Sequence, residues 1–338
     1  MKQFLQKIKT LLPWIMAGLI FVYLFKKIPP DKVLEALKQV HLLPFIAYSF
    51  FYFLLIYYFD SYSLAKVISK FCVPITLKEI LGPRAVSYQL SLLNYNAGQA
   101  SLAYFLKRNK NASFFKALGA LLFVMIIDLY WVICFALVGS FSIQLHYNSL
   151  DVSKAVQRFA LLFLLGMLVH LCFWRQWLGR LFKAHIHFKW ADWIRGRHLF
   201  QTFHHATVKD YITLALYRFP MHFVIISSLY PAVKCFDAHI SLFNILTTIP
   251  IVLLISVVPI TPGGMGSVQM ATIEFLKDKI SGPVFQNPNL SPEQILFALS
   301  LLWMLGNYFF KALSGFVFMK KVQGSFSHEE LPGEGKEN

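Results

Sequence analysis

Three ionisable residues lie inside long apolar segments, where charge is costly. Asp128 is in the middle of the run from Leu118 to Phe141, so its carboxylate reaches neither end of that run. Arg218 and Lys311 lie nearer the ends of their segments, from which a long side chain can extend to a membrane surface. One acid and two bases in this setting favour an anionic headgroup as ligand, with Asp128 as a proton relay or cation partner. The alternatives are a hydrogen-bonded packing role for Asp128 and surface contacts for the two bases.

A helix break within residues 241–276 is a second candidate for chemistry. It contains prolines and glycines followed by a glutamine, namely Pro259, Pro262, Gly263, Gly264, Gly266 and Gln269. Prolines end a helix and glycines permit a tight turn, so a new helix can begin near Gly266 with Gln269 in its first turn. We predict a hairpin of two helices here.

An earlier break lies within residues 85–106. Its small and polar residues are Asn94, Asn96, Gly98 and Gln99. Asn96 is a good N-cap residue, and Gln99 follows at the spacing of a capping box. A helix start carries unpaired N–H groups and about half a positive charge, which suit a phosphate or a carboxylate. We predict that both breaks bind a headgroup; the alternative is that each hairpin only packs against its neighbours.

Membrane-spanning helices must position these residues. Of the 338 residues, 57% are hydrophobic and 14% are charged, whereas about 25% are charged in soluble domains. This composition excludes a soluble enzyme and a disordered protein, and it argues against a nucleic-acid partner despite a net charge of +16. A membrane helix needs about 20 apolar residues. The candidate spans are 11–25, 42–59, 117–141, 156–174, 211–230 and 294–319.

Positive charges predict the orientation of these spans, because Lys and Arg concentrate on the cytoplasmic side. If both termini and the loops 60–84, 107–116 and 175–210 are inside, these segments hold 21 of the 32 Lys and Arg residues. Nine lie in the outer segments, which are 26–41, 142–158, 231–240 and 277–293. The charges therefore predict a cytoplasmic N-terminus and a cytoplasmic C-terminus.

The same orientation predicts that both helix breaks are re-entrant hairpins, since 85–106 begins and ends inside and 241–276 begins and ends outside. Residues 1–141 and 142–321 then contain the same four elements in opposite orientation, as in many transporters. Residues 322–338 are predicted to be a disordered cytoplasmic tail. The predicted fold is an all-α polytopic membrane protein with about six full spans and two re-entrant helical hairpins, arranged as an inverted repeat.

The run from Pro259 to Gly266 resembles the hallmark of a bacterial family, the lysylphosphatidylglycerol synthase transmembrane region, also described as flippase-like. The segment from Asn94 to Ala100 resembles an earlier motif of that family, and the resemblance extends over about 40–319. It implies an integral membrane region that moves a phospholipid between leaflets.

Two features of the chain bear on that resemblance. The tail 320–338 is too short for the aminoacyl-transferase domain that the best-known members carry, which implies a stand-alone membrane domain. Family members usually have Glu at the position of Gln269, and often Arg near that of Met304. The resemblance therefore implies a changed headgroup or an uncoupled mechanism.

The residues and the resemblance together predict a lipid flippase or transporter of the bacterial inner membrane, acting on an anionic or glycosylated lipid. Its energy source is proton coupling through Asp128 or, as in a scramblase, none. A membrane-embedded lipid-modifying enzyme and an accessory subunit that presents lipid to a partner are the alternatives. Walker A, Gly-x-Ser-x-Gly and HExxH motifs are absent, so we predict no enzymatic activity and no cofactor. A separate lipid-synthesising enzyme is a candidate partner.

Metal binding and disulfides are not predicted. His185 and His187 have metal-ligand spacing, but no acid or cysteine nearby completes a set. The cysteines lie far apart, at Cys72, Cys134, Cys172 and Cys235. The basic loop 175–210 suits contact with an anionic inner leaflet or simply sets the topology.

Overall fold

The computed structural model describes residues 2–147, 149–175, 196–257 and 261–327, which are mainly helical. The helices are α1 (Lys2–Lys27), α2 (Pro30–Leu37), α3 (Leu42–Phe71), α4 (Leu77–Leu93), α5 (Tyr95–Lys110), α6 (Phe114–Ser142), α7 (Val152–Arg175), α8 (Gln201–His205), α9 (Val208–Ser227), α10 (Leu229–Lys234), α11 (Leu242–Val257), α12 (Ser267–Leu276) and α13 (Pro292–Ser327). A short antiparallel pair of strands, β1 (His146–Tyr147) and β2 (Leu150–Asp151), connects α6 to α7.

Several helices have the length and composition of membrane spans. Within the described residues, five candidate spans are present: α3, α6, α7, α13 and the continuous segment made of α9 and α10. A sixth results if α1 and α2, which meet at a bend of 80°, are counted as one. Each overlaps a span predicted from the sequence, so the prediction of an all-α polytopic membrane protein is confirmed.

The third helix is longer than predicted. The sequence placed the end of this span at residue 59, but α3 continues to Phe71 and contains 30 residues. At 1.5 Å per residue, such a helix is about 45 Å long. Leu64 and Ile68 continue its buried face by helical spacing beyond Asp60. The predicted inner loop 60–84 is therefore mostly helix, because a charged residue does not end a helix when its charge is paired within the fold.

Two helix pairs lie where the sequence predicted hairpins. Helix α4 packs against α5 across Asn94, and α11 packs against α12 across a 3₁₀ turn at Pro262–Gly264. The two helix breaks are thus confirmed, whereas the re-entrant path and the inverted repeat stay predictions. Helix α13 continues to Ser327, into the predicted disordered tail, and residues 328–338 lie outside the described part.

The chain forms two compact units, each built from segments of both predicted halves. The first unit comprises Met1–Ile56, Asp128–His170 and Phe219–Asn307. Its main core joins α1, α2 and α10 to α13 through buried apolar side chains, among them Leu24, Val33, Leu229, Ile245, Ile273 and Phe297. A second cluster packs α6 and α7 on α11 and α12 through Ile133, Ala160, Ile251 and Phe275. The core thus fixes α12, which carries Gln269.

Three loops meet within this first unit. The backbone N–H of His41 donates to the carbonyl of Cys235 at 2.7 Å, and His41 Nε2 lies 2.9 Å from Asp237 Oδ2. His239 and Ser281 exchange two backbone hydrogen bonds of 2.6 and 2.9 Å. These loops are the ones that the charge distribution groups on the outer side. The side on which they lie stays a prediction.

The second unit comprises Tyr57–Ile127, Leu171–Arg218 and Tyr308–Asn338. Its aromatic core surrounds the buried ring of Phe123, whose centroid is 5.7 Å from that of Phe71 and 4.7 Å from that of Tyr211. Phe203 on α8 packs edge-on against the same ring at 5.6 Å. This core holds α3, α6, α8 and α9 together and so positions Asp60 and Arg218, which lie about two to three helical turns away.

Candidate functional site

A buried ionic cluster in the second unit is the candidate site. Helix α3 supplies Asp60 and Ser63, α4 supplies Arg84 and Tyr88, and α9 supplies Arg218. The exposed fractions are 2% for Asp60, 7% for Arg84 and 3% for Arg218. Charged residues of these types are almost never fully buried unless they are paired. Three helices must therefore pack in one arrangement for this cluster to form.

The carboxylate of Asp60 lies at the centre of the cluster. Arg84 Nε donates to its Oδ2 at 2.6 Å, and the Tyr88 hydroxyl donates to the same oxygen at 2.5 Å. Arg218 Nη1 donates to Oδ1 of Asp60 and, at 2.9 Å, to Ser63 Oγ. The carboxylate thus receives three donors and orients two guanidinium groups, which are the side chains best suited to bind phosphate.

The neighbourhood of Arg84 fixes its position. Its guanidinium carbon lies 4.6 Å from the centroid of the Tyr88 ring, and Nη1 donates to Ser87 Oγ at 3.3 Å. One turn earlier, the Tyr57 hydroxyl donates to the carbonyl of Leu81 at 2.6 Å, which ties α3 to α4. Among the described residues, Arg84 donates through Nε and Nη1, so Nη2 is left for a ligand oxygen.

Lys311 on α13 belongs to the same unit. Its Nζ lies 5.4 Å from the centroid of the Tyr88 ring, and the side chain is half-buried. One turn later, Gly315 packs so closely on Gln89 that an added Cβ would overlap that side chain. The close approach of α13 to α4 therefore brings Lys311 to the ring of Tyr88, whose hydroxyl donates to Asp60.

The sequence predicted a different setting for Arg218. It allowed the guanidinium to extend to the membrane surface, but the side chain is buried and bound to Asp60 and Ser63. Arg218 stays buried because the carboxylate of Asp60 is within hydrogen-bond distance and replaces water as the partner of the guanidinium. The structure thus brings together Arg218 and Lys311, both predicted, with Asp60, Arg84 and Tyr88, which the sequence analysis missed.

Side-chain contacts stabilise both ends of the helix pair α4–α5. At the break, Asn94 is the N-cap of α5, and its Oδ1 accepts from the N–H groups of Asn96 and Ala97 at 2.9 and 3.2 Å. The prediction of Asn96 as the cap is therefore wrong, and Gln99 is a buried residue of the second turn that takes no part in capping. The two asparagines are chemically identical, so only the extended backbone of Asn94 distinguishes them.

The other end of the pair carries an ion pair. Thr76 and Glu79 form a reciprocal capping box at the start of α4, and Lys110 Nζ at the end of α5 donates to Glu79 Oε1 at 2.5 Å. The bond from Lys110, followed by those from Thr76, lowers the pKa of Glu79 to about 2. Between these ends, Gly98 allows α5 to touch Ser87 and Ser91, where a Cβ would overlap both residues.

The glycine-rich break of the first unit forms a tight turn. Gly263, Gly264 and Gly266 have φ angles of 58°, 76° and 82°, a region that favours glycine. Helix α12 begins directly afterwards, and the N–H of Gly266 donates to Gln269 Oε1 at 2.7 Å. The predicted helix start is confirmed, and Pro262 opens the turn. Pro259 lies outside the described residues.

Gln269 also contacts Met304, the other position at which the resemblance implies a different residue. Its Nε2 lies 3.4 Å from the thioether sulfur of Met304. The side chain of Gln269 is 1% exposed. Gln269 and Met304 are therefore neighbours in space, and both side chains, an amide and a thioether, are neutral.

Asp128 also lies in the first unit, and its partner is a histidine. His222 Nε2 is 2.9 Å from Asp128 Oδ1, and the exposed fractions of the two side chains are 7% and 24%. His222 thus gives the partly buried Asp128 carboxylate a hydrogen-bond partner, as the alternative of a packing role requires. A proton relay through Asp128 stays a prediction.

Metal ligands do not converge in the part of the chain that the structure describes, where no group of three His, Cys, Asp or Glu side chains has suitable geometry. His185 and His187 lie outside the described residues.

The comparison with known protein families agrees with the sequence motifs. The model of the lysylphosphatidylglycerol synthase transmembrane region matches residues 10–277, which is most of the chain. A search of curated proteins and a search of solved structures gave no match. With the spans, the glycine turn and the extent of this match in agreement, the chain belongs to the family of the lysylphosphatidylglycerol synthase transmembrane region.

Proposed function

We propose that this membrane protein moves an anionic or glycosylated lipid between the leaflets of the bacterial inner membrane. Membership of the family supports a role in membrane lipid biology. The charge distribution supports cytoplasmic termini, since 21 of the 32 Lys and Arg residues lie in the segments assigned to the inside.

The observation that carries the proposal is the buried cluster of Asp60, Arg84 and Arg218 on candidate membrane helices and their neighbour α4. Desolvating each ion costs several kcal/mol, and a protein with apolar residues of similar size in place of the ions is often as stable. A membrane protein gains little stability from such a cluster, so a function explains it better. Arginine side chains that a carboxylate orients are suited to receive the phosphate of a lipid headgroup.

In the proposed mechanism, a headgroup phosphate accepts hydrogen bonds from Arg84 Nη2 and from the ammonium of Lys311. Asp60 keeps the arginines oriented when the headgroup leaves, so the cluster is ready for the next lipid. The acyl chains stay in the surrounding lipid throughout. Energy comes from proton transfer at Asp128 and His222 or, in a scramblase, from the lipid gradient alone.

The lipid undergoes no covalent change in this proposal, and a separate lipid-synthesising enzyme supplies it. In the first unit, the glycine turn before α12 is a separate candidate for headgroup binding, through N–H groups that follow the one held by Gln269. Its neutral surroundings, Gln269 and Met304, suit the hydroxyl groups of a glycosylated or glycerol headgroup.

Exchange of labelled lipids in reconstituted vesicles tests this proposal. Phosphatidylcholine vesicles that contain the purified protein receive fluorescent phosphatidylglycerol, a fluorescent glycolipid or fluorescent phosphatidylcholine, and an impermeant quencher reports the accessible fraction over time. We expect wild-type protein to increase exchange of at least one anionic or glycosylated lipid above protein-free vesicles. Mass spectrometry of the recovered lipid is expected to show no change in mass.

Arg84→Met is the informative variant, and Arg108→Met is its control because Arg108 is an exposed arginine of the same unit. We expect the first variant to lose exchange and the second to keep it, with both proteins folded. Folded wild-type protein that exchanges no lipid of the panel would contradict the proposed function. A new lipid mass would favour the enzyme alternative.

A further inference from the structure

Lys311 is held differently from the arginines of the cluster. Arg84 and Arg218 each donate to Asp60 and to a serine hydroxyl. Among the described residues, the ammonium of Lys311 has neither a hydrogen-bond acceptor nor a carboxylate within ion-pair distance, and the ring of Tyr88 at 5.4 Å is its contact. The cluster therefore contains two fixed cations and a third that is not fixed.

The position of this ammonium makes it available to a ligand. Its side chain is half-buried and projects from the candidate span Pro292–Met319. An aromatic face compensates only part of the cost of removing an ammonium from water. Lysine is also a compact charge on a flexible four-carbon chain, so the group can leave the ring for a stronger partner. An anion next to Tyr88 would be such a partner.

Tyr88 connects the two kinds of cation. Its hydroxyl is fixed by Asp60, while its ring carries Arg84 at 4.6 Å and Lys311 at 5.4 Å. The ring thus contacts both the ammonium of Lys311 and the guanidinium of Arg84 and neutralises neither of them. A phosphate ester bound there would meet a preorganised guanidinium and a movable ammonium together.

We propose that Lys311 is the specificity-determining residue of the site. Its ammonium leaves the Tyr88 ring to bind the phosphate of an anionic lipid headgroup. It sets a preference for anionic lipids, because the cation of a zwitterionic headgroup offsets the charge of its own phosphate and is repelled by the ammonium. Arg84 and Arg218 orient the site, and Lys311 selects its ligand. This inference rests on the proposed function but has a binding test of its own.

Binding to the purified protein is measured by the shift of its thermal unfolding with added phosphatidylglycerol, phosphatidylcholine or inorganic phosphate. Loss of a charged hydrogen bond corresponds to about 10- to 100-fold weaker binding. We therefore expect Lys311→Met to need about 10- to 100-fold more phosphatidylglycerol for the same shift, with little change for phosphatidylcholine. Lys311→Arg is expected to restore most of the preference. A phosphate-induced shift would identify the phosphate group alone as sufficient.

Lys66→Met is the matched control. Lys66 also lies over a tyrosine ring of the second unit, at 5.3 Å from the centroid of Tyr62, but it is exposed. We expect this variant to bind phosphatidylglycerol as the wild type does. Equal weakening by both substitutions would overturn the proposal, because surface charge alone would then explain the effect.

The wild-type protein provides a test that does not depend on a variant. Phosphatidylglycerol is expected to protect Lys311, but not Lys66, from an amine-reactive reagent, as mass spectrometry of peptides would show. Absence of protection, or unchanged lipid preference in folded Lys311→Met, would overturn the inference. If protection and preference are observed without lipid exchange, the binding role of Lys311 is supported and the transport function fails.

Discussion

Replacing Asp60 by asparagine removes the charge at the centre of the cluster with almost no change in volume. The carboxylate accepts from Arg84, Tyr88 and Arg218. The amide retains one acceptor oxygen and presents an N–H₂ group where the other oxygen was, so a guanidinium or the hydroxyl faces a donor. Breaking a buried ion pair by removing one partner costs about 3–5 kcal/mol. We expect Asp60→Asn to lower the free energy of unfolding by about this amount.

A double variant separates charge balance from packing. In Asp60→Asn with Arg84→Met, the second change removes one of the guanidinium groups that the first leaves without a carboxylate. We expect the double variant to be more stable than the sum of the two single losses by about 1–3 kcal/mol. Reversible unfolding by a denaturing detergent, followed by circular dichroism, measures all four proteins. Additive losses, or a loss below about 1 kcal/mol for Asp60→Asn, would refute the account of the cluster as a coupled ionic unit.

Two further predictions concern the helix pair α4–α5. A methyl group at Gly98 overlaps Ser87 and Ser91, whereas one at Gly166 has open space. Gly98→Ala is therefore expected to destabilise the protein by about 1–3 kcal/mol, and the control Gly166→Ala to stabilise it by about 0.5–1 kcal/mol. The same sign of change for both variants in thermal unfolding would contradict this packing. The pKa of Glu79 is about 2 in the folded protein, below the ordinary value of 4.5 for a glutamate. Its ion pair with Lys110 is therefore fully stabilising above pH 4.5 and is lost as the pH falls towards 2. Wild-type protein is expected to lose more stability between pH 5 and pH 3 than Glu79→Gln, and equal losses would show that another carboxylate is responsible.

Local features of the fold could be predicted from the sequence. The spans depend on continuous apolar segments, and the turn before α12 depends on the glycines that supply positive φ at Gly263, Gly264 and Gly266. Both signals are contained in a short window of sequence. The start of α12 with Gln269 in its first turn followed from the same window.

The ionic cluster could not be predicted in the same way. Asp60, Arg84 and Arg218 come from three helices, and hydropathy counts each charge as evidence for a loop. The predicted loop 60–84 counts Arg84 as a topology-setting charge and places Asp60 outside the span. The continuing buried pattern at Leu64 and Ile68 was the available signal that the helix extends beyond Asp60. The choice between Asn94 and Asn96 as the cap needed the backbone conformation itself.

The role of the buried cluster in lipid movement is measured by the initial rate of phosphatidylglycerol exchange. The rate is compared between vesicles with wild-type protein, with Arg84→Met and without protein. We expect fast exchange with the wild type and, for folded Arg84→Met, a rate close to that of protein-free vesicles. Equal exchange by wild type and Arg84→Met would contradict a role for the buried cluster in lipid movement.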